Sequence, residues 1–222
     1  MIEQAIIYSM SEKDQINEIL KSSDFSSKTW EKDDVAPIRQ TIKQHYIAKQ
    51  EYRCCYCQQQ ILSAHGKVWD VEHVIPRSET ARFMFEPQNL AVACLECNGQ
   101  KGSTRVTKRA YLRLPKSSQA YEIVHPHFDN YDDHIQVEGR STYRGLTAKG
   151  AFTIYHCDLF RFWVKEAQIR KPIRDKRFEQ DVTDLRFSHT VDEAKPILAS
   201  ILARLEIEEM RSRAASASHN DE

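Results

Sequence analysis

The sequence predicts a mainly α protein with a small α+β element at its centre. Three observations carry that prediction: apolar residues at helical spacing before residue 50 and after residue 148, two short strand-like pieces between residues 68 and 94, and two Cys-x-x-Cys pairs bracketing those pieces.

The first helix is expected over 11–20, "SEKDQINEIL", with Ser11 as cap and Ile16, Ile19 and Leu20 on one face. A second should start near Asp34, carry Pro37 in its first turn, and run through Ile38, Ile42, Tyr46 and Ile47. The segments "VWDVEHVIP" and "NLAVAC" read as strands, and "CNGQKGS" as the opening of a helix, which together make a ββα unit. A basic, helical passage follows, and then "HPHFDNYDDHI" (125–135), where Asp and Asn can bond their own backbone in a turn-rich connection. His125, His127, Asp129, Asp132, Asp133 and His134 have the side chains for a second metal site, but a hydrogen-bonded loop accounts for them more simply. Helical spacing returns in "AKGAFTIYHCDLFRFWVKEAQIR", whose Phe152, Tyr155, Leu159, Phe162 and Trp163 form a core-packing stripe. A last helix begins at "TVDE", with Thr190 and Glu193 at capping-box spacing and Pro196 tolerated near the first turns. The expected organisation is an N-terminal helical support region (1–50), a ββα core (51–116), a C-terminal helical region (117–213) and a disordered tail (214–222).

The 222 residues include 32 Lys+Arg and 32 Asp+Glu, so the formal net charge is zero and the molecule as a whole exerts no strong pull on a polyanion. Between residues 97 and 121, however, Lys101, Arg105, Lys108, Arg109, Arg113 and Lys116 are accompanied by no acid, which leaves a local basic face. The N-terminal stretch lacks the pattern of an export signal, and no apolar run approaches the ~20 residues of a bilayer span, so a cytoplasmic protein is expected. Six cysteines would stay reduced there.

Cys54 with Cys57, and Cys94 with Cys97, each supply two corners of a tetrahedral Zn2+ site from one knuckle of backbone. Their polar surroundings argue against mere buried small residues. Cys55 lies within the first pair but is spaced wrongly for it, and Cys157 stands in a helical stripe, so both are bystanders. Four thiolates leave no open position for water, so this zinc is expected to staple the fold and leave chemistry to another centre.

That other centre is expected where Glu72 and His73 stand side by side. An imidazole near its reference pKa suits base catalysis at neutral pH. Glu72 and the side-chain oxygen of Asn98 suit a hard cation, Mg2+ or Mn2+, which needs few protein ligands. Lys101, with Arg77 and Arg105, is expected near phosphate. The predicted chemistry is phosphodiester cleavage in a nucleic acid.

The segments "CCYC", "VEHVIPRS", "NLAVACLECN" and "NGQKG", over about residues 51–104, resemble an HNH endonuclease with zinc-binding cysteine pairs. The resemblance implies a ββα-metal (His-Me finger) fold for the core. It gives His73 the role of general base, Asn89 that of the asparagine orienting the loop between strands, and Asn98 that of a metal ligand. Glu72 stands where many members have Asp. A narrower resemblance, through "HPHFDNYDDHI" and "KGAFTIYHCDLFRF", is to PtuB-type HNH proteins of Septu and retron-associated antiphage systems. It implies a PtuA-like ATPase partner and an association with a retron reverse transcriptase/msDNA complex. Two alternatives stay open from the residues: a non-catalytic zinc module that binds nucleic acid or a protein, and a stand-alone restriction-type nuclease.

Overall fold

A computed structural model describes residues 1–63, 68–169 and 176–217. The chain packs as two units, Met1–Glu166 and Ala167–Glu222, each described by itself.

In the first unit, α1 (Met10–Lys21) starts two residues earlier than the expected Ser11 cap allows. Ser9 is the cap, because Glu12 lies three residues on and its carboxylate accepts the Ser9 N–H at 2.8 Å, completing a capping box. Helix α2 (Ala36–Lys49) opens on Pro37 and buries Ile38, Ile42, Tyr46 and Ile47 against a two-stranded antiparallel sheet, as its spacing predicts. In that sheet β1 (Trp69–His73) pairs with β2 (Leu90–Cys94), Trp69 opposite Cys94 and His73 opposite Leu90. Every residue of β2 is buried. One edge of β2 is closed by the Gln50 side chain, which accepts the Val92 N–H at 2.7 Å and donates to the Val92 carbonyl at 2.8 Å.

Helix α3 (Leu95–Lys101) begins ahead of the expected "CNGQKGS", because the Cys94 sulfur caps it by accepting the Cys97 N–H. The cysteine knuckle therefore claims the helix N-terminus, and residues 98–101 lie inside the helix rather than at its opening. The basic passage after α3 is not helical. Val106 and Thr107 pair with Tyr121 and Glu122 in extended form, and Glu122 donates its N–H to the Val106 carbonyl at 2.8 Å.

The 125–135 connection is a hydrogen-bonded loop centred on Asp129. Its carboxylate accepts the His125 N–H at 2.7 Å, the Lys149 ammonium at 2.6 Å and the Ser118 hydroxyl. A hairpin that the sequence did not announce follows, β3 (Ile135–Glu138) and β4 (Thr142–Gly145), turning at Gly139 with φ +64°. Helix α4 (Ala148–His156) docks on it through Gly150, where a Cβ would lie 1.9 Å from the His134 carbonyl oxygen, so only glycine fits.

The expected continuous stripe over 148–170 is broken. Asp158, at φ +48°, separates α4 from α5 (Phe160–Ile169) and shifts the helical phase. Leu159 is consequently buried and Phe152 and Phe162 pack against the core, whereas Tyr155, Phe160 and Trp163 are exposed. The second unit contains α6 (Lys176–Phe187), unassigned by the sequence pattern, and α7 (Val191–Ala217), which runs into the expected tail. They pack together, with Asp181 accepting from Ser200 at 3.1 Å and pairing with Arg204 at 3.2 Å. The rest of the tail, 218–222, lies outside the described residues. Among those described, no helix is long and apolar enough to cross a membrane.

Candidate functional site

Two centres flank the β1–β2 sheet. In the first, the sulfurs of Cys54, Cys57, Cys94 and Cys97 all lie within 4.8 Å of one another and all four residues are buried. Zn–S bonds of about 2.3 Å in a tetrahedron set the sulfurs ~3.8 Å apart, so this all-thiolate set fits a closed zinc site. The surrounding chain holds it tightly. The Tyr143 hydroxyl donates to the Cys57 carbonyl and the Tyr131 hydroxyl to the Tyr56 carbonyl, each at 2.7 Å. Arg161, from α5, donates to Cys97 Sγ at 3.1 Å. Cys55 and Cys157 are buried outside the cluster, and burial pushes both thiols well above the ordinary range.

The second centre is a cleft of about 890 Å³ between α2 on one side and β1 with α3 on the other. Strand alternation puts Asp70 and Glu72 on one face of β1, and helical spacing puts Asn98 and Lys101 on one face of α3. The two faces meet in two rungs. Asn98 donates from Nδ2 to Asp70 Oδ2 at 2.8 Å, and Lys101 Nζ pairs with Glu72 Oε1 at 2.5 Å. The second rung is dry: Glu72 is 1% and Lys101 2% exposed. Tyr56 adds a hydroxyl donor to Glu72 at 2.9 Å, and Lys101 also donates to the His73 carbonyl at 3.0 Å. Burial holds the Glu72 pKa above the ordinary carboxylate value, partly opposed by the Lys101 ammonium and the Tyr56 hydroxyl.

His73, on the other face of β1, is buried against Trp30 in an edge-on contact with ring centroids 4.5 Å apart. Its Nε2 lies 3.1 Å from the Met84 carbonyl oxygen. A carbonyl can only accept, so Nε2 carries the proton and Nδ1 keeps its lone pair. Burial first, then the nearby Arg77 cation, pushes the imidazole pKa down to about 3, against the pull of the Met84 carbonyl. The ring is neutral at pH 7, but its pKa is not near the reference value expected from the sequence, because the strand end that carries it is buried. The loop that carries Met84 is braced by Asn89, fully buried, which accepts the Ile75 N–H at 2.8 Å and donates to the carbonyls of Ile75 and Phe83.

The structure thus brings Glu72, His73, Asn98, Lys101 and Arg77 to the wall of one cleft. Lys101 is not the exposed cation expected near phosphate, since Glu72 and the His73 carbonyl hold its ammonium. Arg77 reaches the rim while bonded to the Ser27 carbonyl at 2.7 Å and to Glu31 at 3.1 Å. Arg105 pairs with Glu79 at 3.5 Å and is not among the residues lining the cleft. Sequence reasoning missed Asp70, Tyr56 and Trp30. Asp70 was readable from alternation, two residues before Glu72; Tyr56 was hidden between the cysteines of the first pair.

Comparison with known proteins agrees with this geometry. Residues 54–104 match the family model of the HNH endonuclease. Over 113 residues, 51% of this chain, the sequence is 26% identical to the Septu protein PtuB of Bacillus thuringiensis. The match spans 38% of that relative's length. Between its four buried cysteines and the rungs of its cleft, the segment 54–104 is an HNH domain.

Proposed function

We propose that the chain is a metal-dependent endonuclease that hydrolyses phosphodiester bonds in nucleic acid, with His73 as general base. The observation that carries this reading is the neutral imidazole on the cleft wall: Met84 fixes its protonated nitrogen and leaves the lone pair of the other free to accept a proton. Asn98 and Glu72 would hold Mg2+ or Mn2+; an amide and a carboxylate are the oxygen donors such an ion prefers. The ion supplies positive charge for the phosphoryl and leaving oxygens. Lys101 and Tyr56 orient the Glu72 carboxylate, and Asn89 holds the loop whose carbonyl orients the base. Arg77, at the rim, faces the backbone of the nucleic acid.

The likeness to the Septu protein PtuB extends the reading to a cytoplasmic nuclease effector of antiphage defence, working with a PtuA-like ATPase and, in a retron setting, a reverse transcriptase/msDNA complex. A net charge of zero supports a division of labour in which another subunit gathers the polyanion.

The test is incubation of the zinc-loaded chain, alone and with an ATPase partner, with plasmid DNA and with RNA, in the presence and absence of Mg2+ or Mn2+. Cutting should require the added cation while the near-ultraviolet circular dichroism stays unchanged, because four thiolates resist mild chelation. Cutting at equal rates without any divalent cation, or none under any of these conditions, contradicts the assignment.

A further inference from the structure

Asp70, the partner of Asn98 in the first rung of the cleft, has no part in the proposed chemistry. Asn98 Nδ2 lies 2.8 Å from Asp70 Oδ2, and this contact fixes which way round the amide sits. An ionised carboxylate can only accept, so a flipped amide would set two acceptor oxygens against each other. With Nδ2 committed to Asp70, the amide oxygen is left over, and among the described residues no donor claims it. Asp70 and Asn98 both line the cleft.

We propose that Asp70 is a positioning residue of this site, turning Asn98 so that its side-chain oxygen serves the divalent cation. The inference rests on the nuclease reading. It differs from direct ligation in a definite way: the carboxylate acts through the amide and has no effect without it. Such outer partners of metal ligands change affinity by about 10–100-fold when removed.

The experiment is a double-mutant cycle on the full zinc-loaded chain, reading Mn2+ affinity by electron paramagnetic resonance and the Mn2+ dependence of cleavage. Asp70→Ala should weaken Mn2+ binding by about 10–100-fold. Asn98→Ala should weaken it at least as much, and adding Asp70→Ala to Asn98→Ala should cost nothing more. KM for the nucleic acid should not move. Asp70→Asn, which keeps an acceptor oxygen in place, should recover part of the affinity and serves as the informative variant if Asp70→Ala does not fold. Losses that add in the double mutant, Asp70→Asn no better than Asp70→Ala, or Asp70→Ala at wild-type affinity each overturn the proposal. If the wild-type chain cleaves and binds Mn2+ while Asp70→Ala matches it, only this inference fails. If the wild-type chain does neither, the nuclease reading fails with it.

Discussion

At the scale of single residues, the most consequential contact is the Lys101–Glu72 pair, 2.5 Å long and shut away from water. Two buried charges are tolerable only together, since each alone carries its full desolvation penalty. Lys101→Met should therefore destabilise the fold by about 3–5 kcal/mol in urea titrations, and pairing it with Glu72→Gln should recover much of the loss. Asp129 makes a prediction in pH. Burial alone would raise its pKa, but Lys149, Ser118 and the His125 N–H outweigh burial and hold it below the ordinary 3.8. A depressed folded-state value means that the unfolded chain binds this proton first, so the stabilisation is present above about pH 4 and is lost as the pH falls through the folded value. Asp129→Asn should flatten the acid limb of the stability-versus-pH curve; an acid limb equally steep in the variant would remove Asp129 from the account.

The sequence reveals some of these residues and hides others. Glu72, His73 and Asn98 stand out because their types and order are unusual near cysteine pairs. The Met84 carbonyl that orders the imidazole is backbone, eleven positions away, and leaves no mark on the residue type. The fate of Lys101 was hidden because it depends on where α3 begins, and the Cys94 sulfur decides that.

Among the elements, α2 and the β1–β2 sheet were legible: one carries a proline start and a four-residue apolar stripe, the other is bounded by cysteines. The β3–β4 hairpin was not, since its four-residue strands carry mostly exposed polar side chains and read as turn. Nor was the break before α5, because the positive φ falls on Asp158 rather than on a glycine. That break has a use. It brings Arg161 to the thiolates, where the guanidinium also bonds the carbonyls of Cys157 and Asp158 at 2.7 Å each and Glu96 at 3.1 Å. One side chain thus ties the α4–α5 corner to the second cysteine knuckle and, with zinc bound, would offset the negative charge of the sulfurs. Arg161→Ala should release zinc to a colorimetric chelator about tenfold faster than wild type. An unchanged release rate would reduce Arg161 to a packing role.

For the molecule as a whole, the proposed function divides the work between the two centres. The four-cysteine cluster brings the second knuckle, at the join of β2 and α3, against the first, and the cleft on the same sheet gathers the oxygen donors and the imidazole. The molecule carries no net charge with which to draw in a polyanion, and this is why a partner belongs in the proposed function. The most direct measurement of the central claim is the single-turnover cleavage rate of His73→Ala against wild type, at equal zinc content and saturating Mg2+ or Mn2+. His73→Ala should lose about 10²–10⁴-fold, the usual worth of a positioned general base; equal rates would contradict that role.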